Sequence, residues 1–442
     1  DNVIAVWTDN SDDTSYPPGK DQSVLDFAYF GGIYRDVWLQ ATNRIYITNA
    51  YAADEVAGGG LFVHYEDFSR KRVKVLTEVS IANELNSQSE IVIRADLKNQ
   101  EGKLVATTTQ ARSIKAQSRL ATTLKIQVKD PDLWSPENPT LYVLEVRITG
   151  SNGKRLDGVK QKIGIRKIEF LGRNGLYLND EPYPGKLMGA NRHQDYAYVG
   201  NALPNSGQWR DAQLLKDAGC DVIRAAHYPA DPAFMDACDA LGIFFIVATP
   251  GWQFWNGENK AFQTSIYQDI RHMVRRDRNH PSVLLWEPIL NETDYPDYFA
   301  KEVHEIVHQE YPYQGAYTAC DSRATGMEHF DVVYGHPRYE DRFQIWAPDP
   351  KELDASQIKL DYSDEHRCIF TREWGDNTDD WSAHNSSSRV ARDWGEEAQL
   401  VQANHYANTP FRFTNWESLS RTPKQHVGGA LWHSFDHQRG YH

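Results

Sequence analysis

The sequence lacks several features that would indicate particular classes of protein. It has no apolar run of about 18 residues, so no membrane-spanning helix is expected. The 47 basic residues against 61 acidic ones give a net charge of −14, which argues against a nucleic-acid partner. The cysteines show neither CxxC pairs nor zinc-like spacing and fall in apolar segments, which indicates small buried side chains. They are Cys220, Cys238, Cys320 and Cys368.

A length of 442 residues exceeds what one hydrophobic core usually fills, and we expect two or three domains. Aromatic residues make up 12% of the chain, with 13 Trp and 23 Tyr. Flat aromatic faces are typical of carbohydrate sites, because sugar C–H groups pack against them. A large β-rich protein also buries many aromatic residues, so composition alone leaves both interpretations open.

Residues 44–167 alternate apolar and polar side chains and are rich in β-branched residues, which predicts a β-sandwich of the immunoglobulin type. The clearest predicted strands are KVLTEVSIANEL, EIVIRADLK, ATTLKIQVK and TLYVLEVRIT. Residues 1–43 contain a predicted strand in NVIAVWTDNS and further β pattern in AYFGGIYRDVWLQ. So few strands cannot fold alone, and we interpret this stretch as the end of a domain whose start is missing.

Residues 168–442 predict an (α/β)8 barrel, because buried apolar runs alternate with helical patterns. The eight runs are GKLMGANRH, DVIRAAHY, FFIVATP, SVLLWEPIL, GAYTAC, DVVYGH, RCIFTREWG and GGALWHSFD. Helical patterns include WRDAQLLKDAG, PAFMDACDALG and YFAKEVHEIVHQ. In such a barrel the active site lies at the carboxyl-terminal ends of the strands.

Two glutamates, Glu292 and Glu373, follow buried strands at these ends. A pair of carboxyl groups facing one cleft is what glycoside hydrolysis needs, one as acid and one as nucleophile. The alternative interpretation is that each glutamate forms an ion pair with an arginine. A third carboxyl, Glu287, lies within the strand and is predicted to be structural.

Two histidines follow the first two barrel strands, His193 in NRHQD and His227 in RAAHYP. Imidazole and guanidinium groups there are good donors to sugar hydroxyls, although a lone histidine is more often a packing residue. Zinc binding is not expected, because no HExxH pattern or close acidic partner accompanies them.

Taken together, these sequence motifs resemble those of glycoside hydrolase family 2, the group of β-galactosidases, β-glucuronidases and β-mannosidases. The matching motifs are distributed over nearly the whole chain: NVIAVWTDNS, YPPG, GGIYRDVWL, LWSPENPTLYVLEV, GIRKIEF, NRHQD, DVIRAAHYP, RNHPSVLLW, NE at 291–292 and GGALW. The resemblance implies a jelly-roll sugar-binding domain, of which residues 1–43 would be the last part. An immunoglobulin-like sandwich and a catalytic barrel would follow.

The resemblance also implies roles for single residues. Glu292 is similar to the family's acid/base, Glu373 to its nucleophile, and Asn291 to the residue that donates to the substrate 2-hydroxyl. The implied contacts to the terminal sugar are His193, His227 and the hydrophobic wall Trp432, with Asp195, Tyr334 and His336 placed there by strand position.

Some motifs of this chain differ from the usual sequence of the family. The segment WEPILNE is one residue longer than usual, and ATPGWQFW replaces a word that carries a magnesium ligand in some β-galactosidases. We therefore expect no metal and no other cofactor, while Trp252 and Trp255 could form an aromatic subsite wall or pack in the core. Asp376 stands where some members have a histidine near the C6 hydroxyl, which favours an unusual galactoside such as an algal galactan fragment. The N-x-K-G word of β-glucuronidases is absent.

The hypothesis from sequence is a retaining exo-β-galactosidase that acts on oligosaccharides. β-Glucuronidase or β-mannosidase activity is the alternative within the family. A non-catalytic carbohydrate-binding protein on the same fold is the alternative outside it. We expect no nucleic-acid or membrane partner, and assembly into a homo-oligomer stays open. A periplasmic or secreted location is expected, although no signal peptide is visible.

Overall fold

The computed structural model describes residues 3–320, 325–339, 358–360, 364–374 and 419–435. Among these residues, no helix is both long and apolar enough to cross a membrane.

Residues 45–163 form eight strands in two antiparallel sheets. They are β1 (Ile45–Ile47), β2 (Leu61–Ser69), β3 (Arg72–Asn83), β4 (Ser89–Lys98), β5 (Leu104–Ile114), β6 (Ser118–Lys129), β7 (Tyr142–Gly150) and β8 (Arg155–Ile163). In one sheet β3 pairs with β1, β2 and β6, and the other has the order β5-β4-β7-β8. The two sheets share one apolar core. The four strands predicted here are confirmed, while the immunoglobulin-like topology stays a prediction.

Alternation along β6 shows why this region forms strands. Leu124, Ile126 and Val128 are buried in the common core, while the residues between them are exposed. A period of two places one face of the sheet on the core and the other in solvent.

The N-terminal segment, residues 3–43, contains no strand, so the strands predicted in NVIAVWTDNS and AYFGGIYRDVWLQ are wrong for this structure. Its regular structure is one 3-10 turn over Gln22–Val24. A strand needs a neighbour to satisfy its backbone groups, and no described residue supplies one here. The segment instead packs on the barrel, where Leu25 and Phe27 are buried against Trp252.

A small antiparallel sheet leads into the barrel. It consists of β9 (Ile168–Phe170), β10 (Leu176–Leu178) and β11 (Glu181–Pro182). The barrel strands are β12 (Leu187–Arg192), β13 (Val222–Ala225), β14 (Phe244–Ala248), β15 (Val283–Glu287), β16 (Ala319–Cys320), β17 (Val332–Tyr334), β20 (Cys368–Trp374) and β21 (His426–Leu431). A separate two-stranded ladder joins β18 (Pro337–Tyr339) to β19 (Ile358–Leu360).

The eight barrel strands are parallel and follow the order β15-β14-β13-β12-β21-β20-β17-β16. One parallel bridge between Trp286 and Thr318 joins the two edge strands and closes the ring. All eight predicted runs form these strands, and the predicted barrel is confirmed.

Helices cover the outside of the first half of the barrel. They are α2 (Asn205–Asp217), α3 (Pro232–Leu241), α4 (Lys260–Asp277) and α5 (Asp297–Glu310), and the short α1 (Ala50–Ala53) of the sandwich region lies against α4. The ends of α3 show how sequence sets helix bounds. Asp231 caps the amino end and Pro232 follows it, while Gly242 ends the helix in the left-handed region, at φ 71°.

Candidate active site

Polar and charged side chains meet at the carboxyl end of the barrel strands. Asn191 in β12 lies beside Arg224 in β13, and Glu287 is the last residue of β15. Glu373 lies near the end of β20, and Glu292 follows β15 by a short loop. Parallel strands point their carboxyl ends to the same side, so residues far apart in sequence come together here.

Glu292 and Glu373 contact the same guanidinium group. Arg372 donates from Nη1 to Glu373 Oε1 at 2.6 Å and from Nη2 to Glu292 Oε1 at 3.2 Å. The two glutamate side chains are 15% and 16% exposed, whereas that of Glu287 is 1% exposed. Gln253 donates from Nε2 to the other oxygen of Glu292 at 2.8 Å.

Glu287 is held by donors on several sides. Arg224 binds it through two bonds, from Nε at 2.6 Å and from Nη2 at 2.5 Å, and Tyr334 donates its hydroxyl at 2.5 Å. Both Arg224 and Glu287 are almost fully buried. These contacts are those of a structural carboxylate, because its oxygens are occupied and no substrate can reach them.

Arg224 connects this buried pair to Glu373. Its Nη1 donates to Glu373 Oε1 at 2.7 Å. Burial raises the pKa of the Glu373 carboxyl above its ordinary value, and the charges of Arg372 and Arg224 hold back that rise. The two guanidinium groups therefore favour the ionised form of this carboxyl.

Asn291 is fixed by the same two arginines. Its Oδ1 accepts from Arg372 Nη1 at 2.8 Å and from Arg224 Nη2 at 3.1 Å. With the carbonyl oxygen occupied, the amide nitrogen is directed to the other side and lies 3.4 Å from His227 Nε2. The orientation of this amide is set by the surrounding charges.

The histidine and tryptophan candidates form one aromatic cluster. His227 and Trp432 stack, with ring centroids 5.3 Å apart and an interplanar angle of 9°. His193 stands edge-on to both rings, at 5.7 Å from His227 and 5.6 Å from Trp432. Phe27 of the N-terminal segment completes the cluster, at 5.2 Å from His193 and 5.6 Å from His227.

The remaining predicted sugar contacts differ in their burial and in their position relative to the barrel mouth. Trp252 is buried beside the mouth, and its backbone bridges to Asn291. Asp195 is half-buried in the turn after β12, and His336 is half-buried after β17. Tyr334 is buried behind the carboxylates. The remaining predicted contact is Asp376, which lies outside the described residues.

Trp255, the second tryptophan of its loop, belongs to the core. It packs against Phe299 of α5, with ring centroids 4.6 Å apart, and against Phe262 of α4. Of the two interpretations offered for this residue, the structure supports core packing.

The arginines at the strand ends have a different role from the predicted donation to sugar hydroxyls. Arg192 is buried and binds Asp211 and Gln208 of α2. Arg224 donates its hydrogen bonds to carboxylates and asparagine side chains. Both guanidinium groups therefore hold the barrel mouth together.

Sequence reasoning missed Arg372, although it adjoins the predicted nucleophile. Neighbouring residues of a regular strand point to opposite faces, which would separate Arg372 from Glu373. The register between β20 and β21 shifts between Thr371 and Trp374. Such an irregularity re-aims side chains, and both residues face the mouth. Phe27, Lys20 and Gln253 were also missed, because only the folded chain brings the first two to the barrel.

The backbone at Glu292 adopts a conformation that side chains other than glycine disfavour. Its φ is 51°, and Gln253, which contacts it, has a φ of 47°. A non-glycine residue held in this region costs on the order of 1–3 kcal/mol. Strain of this kind is typical of functional sites, where the surrounding structure enforces it.

The parallel ring of eight strands is a TIM barrel, and comparison with known proteins places it in a family. The family described as "Glycosyl hydrolases family 2, TIM barrel domain" matches residues 173–310, and "Glycosyl hydrolases family 2" matches residues 60–166. The two matches together span more than half of the chain. The chain belongs to glycoside hydrolase family 2.

Its relatives carry two different names. A β-galactosidase of Thermoanaerobacter pseudethanolicus is 33% identical over 317 residues, which are 70% of this chain and 39% of that protein. A putative β-glucuronidase of Formosa agariphila is 30% identical over 320 residues, 70% of this chain and 36% of that protein. The chain thus spans about two fifths of the length of these relatives.

Solved structures show the same fold. The structure of a putative β-galactosidase from Bacteroides fragilis superposes with a TM-score of 0.74 at 22% identity. The match covers 98% of this chain and 63% of that one.

Proposed function

We propose that this chain is a retaining exo-β-glycosidase that releases terminal β-galactose, or a modified galactose, from oligosaccharides. The observation that carries the proposal is the pair Glu292 and Glu373, two partly exposed carboxylates that contact one guanidinium group at the barrel mouth. A pair so close together suits double displacement.

In the proposed first step, ionised Glu373 attacks the anomeric carbon while protonated Glu292 gives its proton to the leaving oxygen. In the second step, Glu292 takes a proton from water, which attacks the glycosyl-enzyme and releases the sugar. Glu292 can act as the general base in this second step because it gave up its proton in the first.

The aromatic cluster is the proposed site of the terminal sugar. Trp432 offers an apolar wall, and His193 and His227 lie beside it with ring nitrogens that suit sugar hydroxyls. The amide of Asn291 points toward this cluster, which fits donation to the 2-hydroxyl.

The sugar itself is the finer part of the proposal. Galactose is supported by the β-galactosidase relative. β-Glucuronidase is the second candidate, because the Formosa agariphila relative of similar identity carries that name.

The test is hydrolysis of aryl β-galactoside, β-glucuronide and β-mannoside by the wild type, Glu373→Ala and Glu292→Ala. One sugar should be cleaved, and Glu373→Ala should lose at least about 10³-fold in kcat. Azide should rescue Glu373→Ala as an α-glycosyl azide and Glu292→Ala as a β-glycosyl azide. A Glu373→Ala variant with wild-type activity would exclude the proposed nucleophile. Binding of sugar without hydrolysis would favour the non-catalytic alternative.

A further inference from the structure

A lysine of the N-terminal segment lies at the edge of the proposed site. Lys20 Nζ stands 4.1 Å from the ring centroid of Trp252, a cation–π contact. It also donates to Gln253 Oε1 at 3.3 Å. Since Gln253 Nε2 donates to Glu292, the side chains form a short chain from the lysine to the proposed acid/base.

The two oxygens of the Glu292 carboxylate face different partners. One oxygen of Glu292 faces Arg372, which binds Glu373, and the other faces Gln253. Gln253 and Lys20 therefore contact Glu292 at a different oxygen from the one turned toward the nucleophile. A glycosidase acid lies beside the leaving group, so this second side belongs to the leaving group. This step rests on the proposed function.

The ammonium of Lys20 has unused hydrogen-bonding capacity. Among the described residues its ammonium has one hydrogen-bond acceptor, Gln253, although it could donate three bonds. Burial lowers the pKa of this ammonium, although the carboxylates of Asp26 and Glu292 pull it upward. When Glu292 is protonated for catalysis, one of these two negative charges disappears.

We propose that Lys20, with Trp252 and Gln253, forms a leaving-group subsite that selects substrates with an anionic group next to the scissile bond. A carboxylate or a sulfate ester on the released sugar or aglycone supplies the required negative charge. A lysine binds such groups as a point charge, so both chemistries fit.

The test measures kcat/KM for aryl glycosides of the cleaved sugar whose leaving phenols have matched acidity. One carries a neutral substituent, one a carboxylate and one a sulfate. The wild type should prefer the anionic substrates by about tenfold, which corresponds to about 1.4 kcal/mol. The preference should shrink with added salt. The carboxylate and sulfate arms show which anion is preferred.

The ratio of anionic to neutral kcat/KM is then compared between variants. Lys20→Met should abolish the preference, and Lys20→Arg should retain most of it. Lys260→Met is the matched control, because Lys260 is exposed at the start of α4 and carries the same charge outside the subsite. An active wild type without preference overturns this inference and leaves the proposed function standing. So does a preference that survives Lys20→Met. If no glycoside is cleaved, the proposed function falls and this inference with it.

Discussion

The two ends of the barrel both hold charged groups, but they bury their carboxylates to different degrees. At the amino end of the strands, His280 binds Asp239 at 2.6 Å, and Arg275 binds Glu310 through two bonds. At the carboxyl end, Arg372 binds both Glu292 and Glu373, whose side chains are 15% and 16% exposed.

This difference distinguishes carboxylates that support the fold from the candidate catalytic pair. In the pair at the amino end, Asp239 also accepts from Ser282 N, while its backbone carbonyl accepts from Trp134 before β7, so the pair joins α3, the start of β15 and the sandwich. At the carboxyl end, Glu292 and Glu373 stay partly exposed and Glu292 is strained. The amino end therefore buries its paired carboxylates almost completely, whereas the carboxyl end leaves two glutamate side chains partly exposed.

The largest expected effect comes from removing the shared guanidinium. Arg372→Met should lower kcat/KM by about 10²-fold, since a preorganised charge beside both carboxylates is lost. Arg372 holds the pKa of Glu373 down, so that pKa should rise in the variant. The ascending limb of the pH profile of kcat/KM should then move to higher pH.

Arg372→Lys is the control for this prediction. It keeps the charge but lacks the fork that contacts both glutamates, so its activity should be intermediate. An unshifted ascending limb in Arg372→Met would mean that Arg372 does not tune Glu373.

The second prediction concerns the amino end and the pH dependence of stability. Burial disfavours the charged form of His280, but the Asp239 carboxylate outweighs burial and raises its pKa to about 9, from an ordinary value of 6.5. A raised pKa stabilises the fold fully below pH 6.5, and the contribution is lost as pH rises through about 9. The free energy of unfolding should fall by roughly 2–3 kcal/mol over this range.

Urea denaturation at several pH values measures this slope. His280→Gln should flatten it, whereas His366→Gln, at an exposed position, should leave it unchanged. A slope that survives His280→Gln would assign the pH dependence to another group.

The smallest expected effect tests the strain at Glu292. Because its φ is 51°, Glu292→Gly should be more stable to unfolding than Glu292→Ala by about 1 kcal/mol. At the exposed helical position Thr264 in α4, the order should reverse, with alanine favoured by about 1 kcal/mol. Equal stability of the two Glu292 variants would show that the backbone relaxes without cost.

The barrel was predictable from sequence because its strands are buried and continuous. Runs such as FFIVA in β14 need no partner information to be recognised, and glutamates directly after such runs stand out as costly. Glu292 and Glu373 were therefore found, while their roles remain predictions.

The site residues that sequence reasoning missed depend on contacts between distant segments or on an irregular strand register. Gln253 meets Lys20 across 233 positions. Arg372 faces the site only through an irregular register, which a period of two cannot anticipate. The strands predicted in the N-terminal segment failed for the opposite reason. Their β-type sequence is present, but the described residues offer no neighbouring strand.

The docking of the N-terminal segment has a consequence for the order of folding. Residues 20–27 leave the ribosome before any barrel strand, yet they rest on Trp252, which follows β14. Contacts between such distant positions form slowly, because closing a long loop costs entropy before it brings stabilisation. We therefore expect Phe27 to remain solvated while the barrel strands pair, so that the mouth becomes complete only in the last stage of folding.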